Sequence, residues 1–144
     1  MLSLSERPVG EFLAALGERT PTPASGAATA LTGALAAALV ELAARFAGDE
    51  ETVVHAKALW SRLAELADED AAAYLAFMAA RSDETRARII AVPEEIADHA
   101  DEVARLADHV RVQLRTSVVG DAEAAGELAR AAAKVARRLA ELNA

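Results

Sequence analysis

Apolar positions recur along this chain at steps of three and four, the period of a helix buried on one side, and no segment alternates apolar with polar residues between turn signals. The pattern predicts an all-α fold, a single-domain bundle of about five to six helices that includes long antiparallel ones. A short first helix starts with Pro8 in its first turn, carries Val9, Phe12, Leu13 and Leu16, and ends at Gly17. A second runs from about Ser25 to Ala47. It has Leu31, Leu35, Leu39, Leu42 and Phe46 on one side, Gly26, Ala30, Gly33, Ala34 and Ala37 close by, and a break at Gly48-Asp49. The third and longest spans about Glu50 to Ala80 with the stripe Leu59, Leu63, Leu66, Ala73 and Phe77. Ser82-Asp83-Glu84 restarts the chain as a short segment ending before Pro93, and Pro93-Glu94-Glu95 opens a fourth long helix through Ile96, Ala100, Val103, Ala107, Val110 and Leu114. Val118 to Asp121 marks a break, with Asp121 as N-cap of a final helix that reaches Leu142.

The entry to the second helix departs from this regularity. Pro21 and Pro23 hold an extended approach, and Gly26, Ala27, Ala28 and Ala30 leave no bulky side chain around the helix start. Ser25 or Thr22 is placed to cap it. The first turn presents unpaired backbone N–H groups at the positive end of the helix dipole, a geometry suited to an anionic or carbonyl-bearing ligand. The same small residues also suit close helix packing, including packing across a dimer axis.

Asp70 is the carboxylate out of place. Leu59, Leu63, Leu66, Asp70, Ala73 and Phe77 follow one another at steps of four and three, so Asp70 belongs to the apolar stripe. A charged group there must find a partner or shift its protonation, conditions that recur both in active sites and in structural ion pairs with an arginine from another helix.

Composition narrows the function. At 144 residues the chain fits one domain, 1–144, with room for a core. The absence of cysteine removes disulfides, thiol nucleophiles and thiolate metal sites. With 15 basic and 23 acidic residues, the net charge of −8 argues against nucleic-acid or anionic-membrane partners. The start Met1-Leu2-Ser3-Leu4-Ser5-Glu6 lacks the basic and apolar regions of a signal peptide, which leads to the expectation of a cytoplasmic protein. The uncharged run ending at Val40 reads as shorter than the roughly 20 residues a membrane span needs. Alanine-rich contacts bury little area each, so stability is expected to draw on a second subunit.

His55, His99 and His109 offer no set of three good metal ligands, and solvated histidines account for them; no metal is expected. Arg130, Lys134, Arg137 and Arg138 form a basic stripe that complements the end of the last helix dipole. The same stripe would suit the carboxylates of a ligand tail.

The helix entry carries a family resemblance. Pro21, Thr22, Pro23, Gly26, Ala28, Ala30, Leu31, Gly33, Ala34 and Leu35 resemble, in register, the signature of the formiminotetrahydrofolate cyclodeaminase and methenyltetrahydrofolate cyclohydrolase family. That signature reads Pro-Thr-Pro-Gly-Gly-Gly-Ser and then an Ala/Leu-rich helix with a further Gly. Ala24, Ser25 and Ala27 replace two of its glycines and its serine. Asp70 with Tyr74, Pro93, Asp121 and Asn143 fall where the family has similar residues. The stretch before Pro93 is shorter, and an asparagine and an arginine of the family's closing motif are missing.

The resemblance implies a homodimeric enzyme with no tightly bound cofactor, acting on a tetrahydrofolate derivative. It would close formiminotetrahydrofolate with release of ammonia or hydrolyse the methenyl bridge. Asp70 would be the catalytic carboxylate, and Pro23, Ser25, Gly26, Ala27, Tyr74, Arg137 and Arg138 would bind the substrate. Two alternatives stand beside it: an enzyme of the same scaffold acting on another imine-like or cyclisable small molecule, and a non-catalytic helical dimer that binds a ligand or protein.

Overall fold

The computed structural model describes residues 2–115 and 117–144. After a single 3₁₀ turn at Leu4–Glu6, five helices follow: α1 (Val9–Gly17), α2 (Ser25–Ala47), α3 (Glu50–Ala79), α4 (Asp83–Arg111) and α5 (Val119–Asn143). The last four form the bundle. Each packs on its neighbours in chain order and α5 closes back on α2, while α1 makes only marginal contact. Gly33 of α2 faces Leu63 of α3 and Gly26 faces Asp70, whereas Arg62 of α3 reaches Glu95 of α4 and Arg137 of α5 reaches Asp101 of α4. Successive helices therefore run antiparallel, the up-down arrangement that short connections favour.

Local chemistry marks most boundaries. Gly48 takes the left-handed conformation (φ 70°) that ends α2, at a position where a side chain would be strained. Asp49 caps α3 by accepting from the backbone N–H of Thr52, and Ser82 caps α4 through a reciprocal pair with Thr85.

The core pairs unlike helices. The buried positions of α2 and α5 are almost all Ala and Gly, and the large buried side chains, among them Leu63, Leu66, Val92, Ile96, Val103 and Val110, come chiefly from α3 and α4. Small faces bring backbones close, and the leucines of α3 then reach across; the Cδ1 of Leu63 comes within 3.3 Å of the place a Cβ on Gly33 would take.

Five expectations are corrected. Pro93 does not start a helix: α4 is continuous from Asp83 to Arg111 with the proline inside it. Proline lacks the N–H that would bond the carbonyl four residues back, at Ile89, and that carbonyl instead accepts from the side-chain amide of Asn143 at 2.8 Å. A contact from the far end of the chain thus repairs the helix. Asp121 does not cap α5 but lies in its first turn, Val118 taking the cap position.

Neither Thr22 nor Ser25 caps α2, because Ala24 occupies the N-cap position and supplies no side-chain bond. Finally, the length argument against a membrane span fails. α2 has 23 residues and is apolar enough to cross a bilayer, but half of its most apolar window is buried inside the bundle.

That burial also reverses the two sides of α2. The alanine face expected to meet a second subunit is occupied within the chain, with Ala30, Ala36, Ala37, Ala43 and Ala44 fully buried. The larger residues Leu35, Leu42 and Phe46 face outward.

A candidate site where α2 starts against α3

Three consecutive acids of α3 meet three different fates. Asp68 accepts a hydrogen bond from the backbone N–H of Leu4 at 3.0 Å, and Glu69 pairs with Arg62 at 2.9 Å. Asp70, half-buried, makes no hydrogen bond and no ion pair among the described residues. The arginine expected as its structural partner is engaged elsewhere: Arg62 holds Glu65, Glu69 and Glu95, and its guanidinium is pushed above its ordinary range, first by Glu95. Burial pushes the Asp70 carboxyl above its usual value, since nothing nearby compensates the desolvated charge.

The carboxylate lies flat against the backbone of α2. A Cβ on Gly26 would fall 2.1 Å from Asp70 Oδ2 and 2.3 Å from Oδ1, so only glycine admits the side chain there. Among the described residues, the amides of Ser25, Gly26 and Ala27 find no acceptor, because the first bond of the helix is donated by Ala28 to the carbonyl of Ala24. The Thr22–Pro23 peptide that leads in is cis. The structure thus joins an uncapped helix start to an unpaired carboxylate.

Of the residues singled out in the sequence, Pro23, Ser25, Gly26 and Ala27 form one side of this junction, and Asp70 meets them from α3. Tyr74 lies one turn further along α3 and is 38% exposed. Arg137 and Arg138 are not brought here. Arg62, two turns before Asp70, already faces Glu95 of α4, and Arg137 pairs with Asp98 and Asp101, further along α4 and away from the Asp70 end. Arg138 pairs with Glu141 of its own helix.

The histidines sit beside carboxylates: His55 by Glu102, His99 by Glu95 and His109 by Asp49. Among the described residues no group of three or more metal-ligating side chains converges.

The sequence reading missed two arginines. Arg81, just past the end of α3, and Arg86, in α4, both stack on the ring of Phe77 at 5.2 and 5.3 Å from its centroid. The spacing of four between Phe77 and Arg81 was the available signal; Arg86 arrives only through the turn.

A helical bundle that packs a carboxylate against a glycine at the bare start of a small-residue helix defines the class: a small all-α domain with a candidate site at one end. The chain matches the family described as Formiminotransferase-cyclodeaminase over residues 8–144, and it belongs to that folate-related family. No curated protein matches the chain.

Proposed function

We propose that this protein is a cyclodeaminase- or cyclohydrolase-type enzyme acting on a folate one-carbon unit, working in the cytoplasm as a homodimer with no tightly bound cofactor. The observation that carries the reading is the unpaired Asp70 carboxyl packed on Gly26 beside three free amides. In the cyclising reaction, the neighbouring secondary amine of the folate attacks the formimino carbon and forms the new C–N bond, while the bond from that carbon to the imino nitrogen breaks. The =NH group leaves as ammonia with two protons, one released by the attacking amine and one supplied by an acid. A carboxyl whose hold on a proton is raised by burial is suited to give the second of these, and as carboxylate it opposes the cationic carbon that results. In the hydrolytic direction it would take a proton from water attacking the same carbon. The amides of Ser25, Gly26 and Ala27 would orient a carbonyl oxygen or an anion of the substrate.

The test follows methenyltetrahydrofolate absorbance with the purified chain and with Asp70→Asn. Turnover by the native protein that falls by about two orders of magnitude or more in the variant is the expected result. Equal turnover in the two would remove Asp70 from the chemistry.

The replacement of signature residues by Ala24, Ser25 and Ala27 favours, as a second reading, the same scaffold working on another imine-like or cyclisable molecule. Absence of turnover with folates, together with a thermal shift from a non-folate imine, would select it.

For the homodimer, the outward face of α2 supplies the surface, with Leu35 65% and Phe46 66% exposed. Sedimentation of Leu35→Glu/Phe46→Glu as a monomer beside a native dimer is the expected outcome.

A further inference from the structure

Most arginines of this chain are neutralised: Arg45, Arg62, Arg105, Arg111, Arg130, Arg137 and Arg138 all carry carboxylate partners. Arg81 and Arg86 are different. They converge on one ring from opposite sides of the α3–α4 turn, and among the described residues neither has an ion pair; the one hydrogen bond of Arg86 goes to the backbone carbonyl of Asn143 at 3.4 Å. The ring of Phe77, 9% exposed, belongs to the core, and the guanidinium carbon of each arginine lies over it. A ring contact does not neutralise a guanidinium, so both cations keep the capacity to pair with an anion.

Its position relates it to Asp70. The register that sets Gly33 against Leu63 and Gly26 against Asp70 brings α2 to its start level with Asp70, while α3 continues to Ala79. The last two turns of α3 therefore overhang the start of α2. Phe77 lies on the Asp70 side of this overhang, seven residues on, or about 10 Å along the helix axis. A groove of about 310 Å³ between α3 and α4 opens at the same end, with Glu69, Ala73 and Ala76 on one wall and Glu84, Thr85 and Arg88 on the other. Arg88 is likewise without an ion pair among the described residues.

We propose that Arg81 and Arg86, seated on Phe77, are an anion site that holds the carboxylate or phosphate end of the ligand whose other end meets Asp70. For the second half of that statement the proposal rests on the reading of Asp70 as the reacting group. It assigns the ligand a class: a molecule with an anionic group roughly 10 Å from the atom handled at Asp70. A neutral analogue of the same shape would leave both guanidinium groups without a counterion and would bind less well.

The full chain labelled with ¹⁵N, titrated with glutarate and separately with inorganic phosphate, tests the site through the arginine Nε–Hε signals. The expected result is that the Arg81 and Arg86 signals move together along one saturating curve. The stronger of the two probes then identifies carboxylate or phosphate as the natural chemistry. The double variant Arg81→Gln/Arg86→Gln should weaken that binding by about ten-fold or more, and Asp70→Asn should leave it within about two-fold. Shifts at Arg81 and Arg86 no larger than those of exposed Arg19, or a double variant that binds as the native chain does, would overturn the proposal. Because the titration does not involve turnover, intact anion binding in a protein whose Asp70→Asn variant keeps full activity would strike out the reading of Asp70 and leave the anion site standing.

Discussion

Helix α3 carries one aspartate at its start and another two-thirds of the way along, and the two occupy opposite environments. Asp49 accepts from the backbone and hydroxyl of Thr52 at 3.1 and 2.7 Å and from Gln113 at 3.1 Å, with His109 at 3.2 Å. These donors, the Thr52 hydroxyl foremost, hold its carboxyl at about 2, well below the usual range. Among the described residues Asp70 has no donor, and burial pushes it upward. The first arrangement stabilises a helix and joins α3 to the end of α4; the second leaves a desolvated carboxyl, which lowers stability where it is charged. Opposite shifts in one residue type on one helix separate a carboxyl tied into the fold from one left desolvated, the feature on which the proposed function rests.

The largest effect that can break this comparison is on activity. Asp70→Asn should reduce turnover by roughly 10²- to 10⁴-fold and also raise the urea midpoint near neutral pH, since a neutral amide avoids the desolvated charge. The sign follows from the proton balance: a folded pKa above the unfolded 3.8 gives stability that is present below that value and lost as pH rises through the folded one. The gain from Asp70→Asn should therefore vanish on acidification. Unfolding curves at several pH values check it.

Gly26→Ala comes next, with a loss of about 1–3 kcal/mol, because the new Cβ would stand 2.1 Å from the Asp70 carboxylate. In an Asp70→Ala background the same change should be almost without effect, and a double-mutant cycle by urea denaturation measures the coupling. Additivity of the two would mean that the close approach is not what constrains Gly26.

Asp49→Ala should remove about 1–2 kcal/mol at neutral pH through loss of the cap. For this carboxyl the sign is reversed: its stabilisation is present above 3.8 and lost as pH falls through about 2, so native and variant should converge only in strong acid. Convergence already near neutral pH would contradict the partnered state of Asp49.

Asn143→Ala sharpens the contrast from a third position, since the carbonyl that Pro93 orphans is partnered where Asp70 is not. Truncation should cost about 1 kcal/mol, and less in a Pro93→Ala background, where the helix can supply its own donor to Ile89. Thermal unfolding of the four proteins reads the difference. The smallest effect is expected of Ala24→Ser, which places a side-chain acceptor at the bare start of α2. It should stabilise the fold by about 0.5–1 kcal/mol while weakening ligand binding, because the hydroxyl occupies an amide the ligand would use.

Much of this was legible along the chain. The bounds of α2 and the start of α3 follow from proline entry, alanine propensity and the Gly48-Asp49 break, all local causes. The step of Asp70 within the apolar stripe was equally visible, because helical periodicity assigns every residue a side. Pro93 misled for a physical reason. A proline at a helix start and one inside a helix look alike locally, and the donor that makes the second tolerable, Asn143, lies at the other end of the sequence. The sides of α2 misled as well. Leucines ordinarily face a core, yet here close backbone packing against α3 and α5 reserves the inside for alanine and turns Leu35, Leu42 and Phe46 outward.

Local spacing and propensity, then, determined by themselves that this is an all-α protein, where most of its helices lie, and which acid is out of place. Tertiary structure alone decided that Asp70 settles against Gly26, that Arg62 is spent on Glu69 and Glu95, and that Arg81 and Arg86 meet on Phe77. The reason is one of range: helix periodicity acts over a few residues, whereas the pairing of charges and the filling of space depend on which segments the bundle brings side by side.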